Sequence, residues 1–284
     1  MKIAITGATG QLGQLVVEHL LKQHNSAELV VLVRDVTKAE HFAAKGIIVR
    51  TFDYDQPDQL AAALDGVERL LLISASDVGR RVLQHKHVIE AAKAAHVAHI
   101  FYTSLLHADQ STLSLAQEHR ETEELIKNSG LTYTLLRNGW YTENYTQAAQ
   151  QVIEQGILHG AAHDGKISSA TRSDYAEAAA HVLTTAGHDN KIYELAGSAS
   201  YTLTELADEL SHIANKKVIY QNLTGDEFHQ LLVNIGLPAF VADILVDADV
   251  QASQGALFSE SKDLVHLLAR PSTSLRTVLA SQLG

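Results

Sequence analysis

The chain has 284 residues, with no cysteine, 17 glycines and 3 prolines. Hydrophobic residues make up 46% and charged residues 19%, which is ample material for a core and argues against disorder. With 33 acidic residues against 22 basic ones the formal net charge is -11, a field that repels a phosphate backbone, so nucleic acid is not an expected partner.

The lack of cysteine excludes a disulfide framework, a thiolate metal site and a cysteine nucleophile. No apolar run approaches membrane-spanning length. The sequence starts Met1-Lys2 and reaches Gly7 at once, which leaves no apolar region for a signal peptide. The expectation is a cytoplasmic protein without a membrane partner.

In chain order, Lys2–Thr6 reads as a buried strand. Gln11–Gln23 follows as a helix with Leu12, Leu15, Val16, His19 and Leu20 on one face. Leu29–Val33 reads as strand, Lys38–Lys45 as helix, Ile47–Phe52 as strand and Asp58–Leu64 as helix. Arg69–Ile73 is the most apolar strand, and a helix of about Arg80–Ala95 separates it from the strand His99–Thr103. Helix Leu115–Asn128 and strand Thr132–Arg137 complete the series. Six apolar strands separated by helices predict an α/β fold with a doubly wound parallel sheet, because parallel strands need crossovers and are buried on both faces. Ligands of such sheets bind beyond the carboxyl ends of the strands.

After Asn138 the pattern loosens. Asp174–Thr185 reads as helix, Lys191–Leu195 as strand, and Thr202–Ile213 as a helix that Thr202 or Thr204 caps. Val218–Asn222 reads as a short strand. Gly225–Ile235 and Ala239–Val250 read as helices flanking Gly236-Leu237-Pro238. Residues 1–145 are expected to form the nucleotide-binding domain. Residues 146–284 are expected to form a smaller, mostly helical substrate portion, with some segments returning to the sheet.

The first strand runs into Thr6-Gly7-Ala8-Thr9-Gly10-Gln11-Leu12-Gly13, a G-x-x-G-x-x-G turn. Gly7 permits a sharp exit from the strand, Gly10 a close approach of backbone N–H groups to a pyrophosphate, and Gly13 tight packing of the helix. The helix then points its positive end at the phosphates. A bare glycine turn would mean little, but this one leaves a strand and opens an amphipathic helix. Arg34 stands at the end of the second strand, where an arginine selects the 2′-phosphate of NADP and a carboxylate the ribose of NAD. Lys38 adds charge, whereas Asp35 is a carboxylate next to Arg34, so NADH use stays open beside NADPH. Asp53, after the third strand, fits either an adenine contact or a helix cap.

No P-loop, H-E-x-x-H or G-x-S-x-G motif occurs, and the 16 histidines are scattered, so no metal is expected. No tyrosine has lysine four residues on, which removes the usual acid of short-chain dehydrogenases. The helix after the fifth strand carries His119 and Glu123 instead, which read as a solvated face with a local ion pair.

The chain resembles the NmrA-like atypical short-chain dehydrogenases, and within them the bacterial NAD(P)H:quinone oxidoreductases of type 2. The likeness is carried by Ile3–Gly13 (IAITGATGQLG), Leu70–Ser76 (LLLISAS), Tyr102–Asp109 (YTSLLHAD), Leu135–Tyr145 (LLRNGWYTENY), Asp164–Arg172 (DGKISSATR) and Tyr193–Gly197 (YELAG). It implies a Rossmann-type fold with NADPH held by Gly7, Ala8, Thr9, Gly10, Gln11 and Leu12 at the pyrophosphate and by Arg34 at the 2′-phosphate. It further implies Ser74, Ala75 and Ser76 beside the ribose and nicotinamide. Asn138, Gly139, Trp140, Tyr141, Thr142 and Glu143 would line the nicotinamide and quinone pocket.

The implied reaction is reduction of a small quinone by direct hydride transfer, without flavin or metal. The missing acid suits it. A ketone yields a strongly basic alkoxide, whereas a quinone yields an anion delocalised over its ring, so positioning matters more than proton donation. Trp140, Tyr141 and Tyr145 offer stacking surface or core packing. Tyr141, Tyr102 and His107 are the candidate catalytic residues, with Ser104 beside them. The alternative is a non-catalytic NADP-binding redox sensor acting through a protein partner. The oligomeric state stays open.

Overall fold

The most apolar runs of the first half form strands buried on both sides, as the fully buried Ile3–Thr6 and Leu29–Val33 show, whereas Ile48–Thr51 is only half-buried to exposed. The computed structural model describes residues 1–283. In chain order the elements begin β1 (Ile3–Thr6), α1 (Gln11–Leu21), β2 (Leu29–Val33), α2 (Glu40–Ala43), β3 (Ile48–Thr51), α3 (Pro57–Ala63) and β4 (Arg69–Leu72). Next come α4 (Arg81–Ala94), β5 (His99–Leu105), α5 (Ala116–Lys127), β6 (Thr132–Asn138), α6 (Glu143–Thr146), α7 (Ala149–Gln155) and β7 (Ile157–Gly160). The chain continues with α8 (Arg172–Thr184), β8 (Lys191–Leu195), α9 (Leu203–Ala214), β9 (Ile219–Asn222), α10 (Gly225–Asn234), α11 (Ala239–Ala252), α12 (Asp263–Leu268) and α13 (Leu275–Leu283). Among the described residues no helix is long and apolar enough to cross a membrane.

Two compact units result. The first comprises Met1–Ala108, Gln117–Asn138 and Arg172–Glu194. Its seven-stranded sheet has the order β3-β2-β1-β4-β5-β6-β8. The pairs from β3 through β6 are parallel. The start of β8 lies beside the start of β6, with Asn190 N–H donating to Tyr133 O (2.7 Å), so β8 runs the same way. The chain winds from β1 through β2 to β3 on one side, then from β4 to β6 on the other. The order therefore reverses between β1 and β4, where ligand crevices form in sheets of this kind. One face of the sheet carries a core of Val30, Leu70, Val88, Ile100, Tyr102 and Ile126, among others.

The second unit comprises Asp109–Ala116, Gly139–Thr171 and the chain from Leu195 onward. Its strands β7 and β9 pair in parallel, Ile157 opposite Ile219. Helices α10 and α11 share a small core of Phe228, Leu232, Ala242 and Ala161. Thr202 caps α9 and Thr224 caps α10, each in a capping box, with Glu205 and Glu227 as the reciprocal acceptors.

Two sequence expectations are corrected, and one strand is new. The helix expected over Lys38–Lys45 is a 3₁₀ turn, Val36–Ala39, and one α turn, Glu40–Ala43, because Asp35 caps at Thr37 and starts a tighter helix. Strand β5 runs to Leu105 rather than stopping at Thr103. The sequence also gave no sign of β7, four residues whose partner lies 62 positions downstream.

Candidate active site

The turn after β1 places its glycines where side chains cannot go. Gly7 has φ +59°, a left-handed conformation suited to glycine, and Gly10 N–H donates back to Gly7 O (2.9 Å). A Cβ on Gly13 would lie 2.3 Å from Gly7 O and 2.7 Å from Ala8 Cα, so α1 meets the turn backbone to backbone. The first turn of α1 has neither a side-chain cap nor an acidic residue, which leaves its N–H groups and its positive end for an anion. Gly7, Gly10 and Gln11 are exposed and Thr9 is half-buried. Ala8 and Leu12 are buried, so they offer a ligand only backbone.

Gly13→Ala is expected to lower stability by about 1–3 kcal/mol, as overpacking does, because the atoms in the way are main chain and cannot swing aside. Dinucleotide affinity should fall with it. Thermal unfolding and a cofactor titration read the two effects; an unchanged melting temperature would contradict the packing.

Arg34 lies exposed just past β2 and takes part in none of the ion pairs among the described residues. Its neighbour Asp35 is committed elsewhere. The carboxylate accepts from Thr37 N–H (3.0 Å) and Thr37 Oγ1 (2.6 Å), and these bonds hold its pKa below the usual carboxylate value. Asp53 accepts from Asp55 N–H (3.1 Å) and from Gln56 Nε2 (3.2 Å), so it serves the turn before α3.

The segment after β4 is tied from three sides. Ile73 N–H donates to Thr6 Oγ1 (3.0 Å) and Ser74 N–H to Thr103 Oγ1 (2.9 Å). Ala75 N–H donates to His85 Nε2 (3.0 Å), and Arg81 Nε donates to Ala75 O (2.6 Å). The His85 tautomer follows. Nε2 accepts, so Nδ1 carries the proton and donates to Thr122 Oγ1 (3.0 Å), whose hydroxyl donates to Glu118 O (2.8 Å). Burial pushes the His85 pKa down to about 3, which keeps the ring neutral and this chain intact. Ser74 and Ala75 are half-buried and Ser76 is exposed.

At the end of β6, Asn138 is 5% exposed and its Oδ1 is a buried acceptor with no hydrogen-bond partner among the described residues. A buried acceptor left this way is uncommon in folded proteins and fits a donor from a ligand. The glycine turn, Arg34, the tied segment after β4 and Asn138 all belong to the first unit, at carboxyl ends of its strands. Together they have the chemistry to hold a phosphorylated dinucleotide: open N–H groups, a guanidinium and an unmet acceptor.

The catalytic candidates separate. Tyr102 is fully buried in the core, and its hydroxyl shares a hydrogen bond with His119 Nδ1 (2.8 Å), so it is removed from the proton donors. Tyr102 lies within β5, and the two residues by which the strand exceeds expectation, Ser104 and Leu105, carry it on past Thr103. Ser104, two residues on and therefore on the same face, donates to Glu123 Oε1 (2.7 Å). His119 and Glu123 do not form the solvated face expected of them; they are 6% and 2% exposed. Glu123 receives Arg137 through both Nε (2.9 Å) and Nη2 (2.8 Å), and Lys127 as well (3.1 Å). Burial alone would raise the Glu123 pKa, but Arg137, Ser104 and Lys127 together hold it below the usual value. A strand pair at i, i+2 thus faces a helix pair at i, i+4. That matching of periods was the signal available in the sequence.

His107 follows β5, half exposed, at φ +53°. Its N–H donates to Glu194 Oε2 (2.8 Å), and Arg137 Nη1 holds the other oxygen (2.7 Å).

In the second unit, Gly139 and Trp140 are buried, and Tyr141 and Glu143 are half-buried. Tyr141 bridges Ala170 through its backbone. Thr142 N–H donates to Ala170 O (3.0 Å), and its hydroxyl joins Ser169 Oγ and then Tyr201 (2.8 Å each). Thr142 is therefore committed to the unit's own framework.

A family model described as NAD(P)H-binding matches residues 7–186, which includes the glycine turn and the strands that carry the site. The chain belongs to this NAD(P)H-binding family. Within the NAD(P)H-binding proteins its likeness is to the NmrA-like members. It is 55% identical to Quinone oxidoreductase 2 of Escherichia coli (strain K12) over 273 residues, 96% of each chain. The crystal structure of the NADPH-dependent quinone oxidoreductase of Escherichia coli complexed with NADPH matches with a TM-score of 0.97 and 54% identity, covering 99% of this chain and all of that one. The Citrobacter sp. triphenylmethane reductase complexed with NADP(H) matches at the same TM-score with 38% identity, covering 99% of this chain and all of that one.

Proposed function

We propose that the chain reduces a quinone to its hydroquinone with NADPH, in one two-electron step and without flavin. The observation that carries this reading is the open N-terminus of α1 together with an exposed Arg34 that no carboxylate among the described residues neutralises, in a chain 55% identical to a quinone oxidoreductase. When bound, the dinucleotide supplies hydride.

The chain's own residues bind and orient. Gly7, Gly10 and the first turn of α1 would take the pyrophosphate, Arg34 the 2′-phosphate, and Ser74, Ala75 and Asn138 the nicotinamide end. The ties from Thr6, Thr103 and His85 hold the segment after β4 rigid before any ligand arrives, so little ordering is required on binding. The hydroquinone anion spreads its charge over the ring, so a proton from solvent completes the product without a strong acid.

Mixing the purified protein with NADPH and benzoquinone should consume one NADPH per hydroquinone formed, with no added flavin and no radical signal. Tight NADPH binding without turnover across several quinones would overturn the reading in favour of a redox sensor.

A further inference from the structure

We propose that the second unit contains a binding site for an apolar organic cation, with Asp249 supplying the negative charge and Trp140 and Phe228 the aromatic walls. The argument begins with helix α11. Its buried positions are Ala242, Ala248, Asp249 and Ala252, so one carboxylate sits on an otherwise small, apolar face. Buried carboxylates are normally paired with a cation. Asp249 is 3% exposed, yet both of its partners are neutral: Tyr145 hydroxyl donates to Oδ1 (3.0 Å) and Ala161 N–H to Oδ2 (2.9 Å). No lysine, arginine or histidine pairs with it among the described residues. Burial pushes the carboxyl up to about 6, opposed by the Ala161 and Tyr145 bonds, so near neutral pH it is an anion in an apolar setting without a counter-charge.

The position of the carboxylate is built, not accidental. A Cβ on Gly160 of β7 would lie 2.7 Å from Asp249 Oδ2, so the strand backbone itself makes room for it. The carboxylate borders a cavity of about 330 Å³ whose walls include Trp140, Tyr145, Val152, Phe228 and Leu232. That volume is in the range of small-molecule sites. Apolar walls disfavour a hydrated metal ion, and the carboxylate disfavours an anion. Aromatic rings around an anion favour a cation whose charge is carried on carbon-rich groups: a substituted ammonium, pyridinium or iminium. The other ionisable groups near the carboxylate are Tyr145, Tyr220 and His159. Burial holds both phenols above their usual value, so they stay neutral in the range of interest.

The test is calorimetric titration of the full chain with benzyltrimethylammonium and with neopentylbenzene, a neutral molecule of the same shape. The cation should bind at least about tenfold more tightly. The preference should grow between about pH 5 and 7, as Asp249 ionises, and should persist in His159→Gln. Asp249→Asn should remove the preference. Phe228→Leu, which leaves the carboxylate in place, should weaken the cation more than its neutral counterpart. Equal binding of the two probes, no binding of either, or a preference that survives Asp249→Asn overturns the proposal. None of these outcomes depends on quinone turnover.

Discussion

Replacing Arg34 with alanine is expected to weaken NADPH binding about ten- to a hundredfold, the loss of charge-assisted hydrogen bonds worth roughly 1.5–3 kcal/mol, while NADH binding stays within about a factor of two. The size of the effect follows from where the guanidinium stands. It is exposed at the end of β2, with no ion-pair partner among the described residues to give up when a phosphate arrives. Asp35 would spoil this if it turned toward Arg34, but its oxygen is occupied by both donors of Thr37. Thr37→Val removes one of those donors and frees the carboxylate, so it should shift preference toward NADH in a milder way. Arg34→Lys keeps the charge but loses the planar fork, and should fall between wild type and alanine. Titrations with the two coenzymes on each variant read all of this. Equal losses for both would show that Arg34 does not read the 2′-phosphate.

That site was legible because its chemistry is written locally. Three glycines, a strand before them and a helix after them determine the turn; the arginine is one residue past the next strand. The same holds for the sheet. Strands buried on both faces read as near-continuous apolar runs, as β2 does throughout and as β1 up to Thr6 and β4 after Arg69 do. What the sequence hid depends on distant contacts. His119 and Glu123 look like solvated helix residues because polar side chains usually are. They are buried because Tyr102, Ser104 and Arg137 wait for them on β5 and β6, and nothing within α5 announces those partners. Ser104 looked like a residue beyond a strand end because the expected strand stopped at Thr103, whereas β5 runs on to Leu105. A serine in a strand is tolerated here since Glu123 satisfies its hydroxyl. The short β7 is a four-residue strand ending in glycine, too brief for any period to show. Asp249 is the same problem in the second unit: an acidic residue on a helix reads as surface until the structure buries it.

Lowering the pH from about 7.5 to about 5.5 is expected to cost roughly 2–4 kcal/mol of folding stability, because buried imidazoles are held neutral. His85 is fully buried and His119 is 6% exposed; burial, reinforced by the Arg81 charge, pushes each from the usual 6.5 to about 3. His99 is pushed to about 4, again chiefly by burial, with Asp189 opposing. The unfolded chain takes up these protons as the pH falls through 6.5, and the folded chain does not. Their contribution is therefore complete above 6.5 and is lost progressively below it, at about 1.4 kcal/mol per pH unit for each ring. Asp249 works in the opposite sense. Its folded pKa is raised to about 6, so acid favours the fold there and offsets about 1 kcal/mol of the loss. Glu123, held below its usual 4.5, acts only at lower pH and does not enter this window. The hydrogen bonds sharpen the expectation for His85, since protonating Nε2 would set two N–H groups, its own and that of Ala75, against each other. Acid should thus loosen the segment after β4 before it unfolds the rest, and coenzyme affinity should drop ahead of the unfolding midpoint. Denaturant unfolding at several pH values measures the slope, and His119→Gln, which keeps a polar partner for Tyr102, should flatten it by about a third. Stability that stayed level or rose on acidification across this range would mean that these rings accept protons inside the fold.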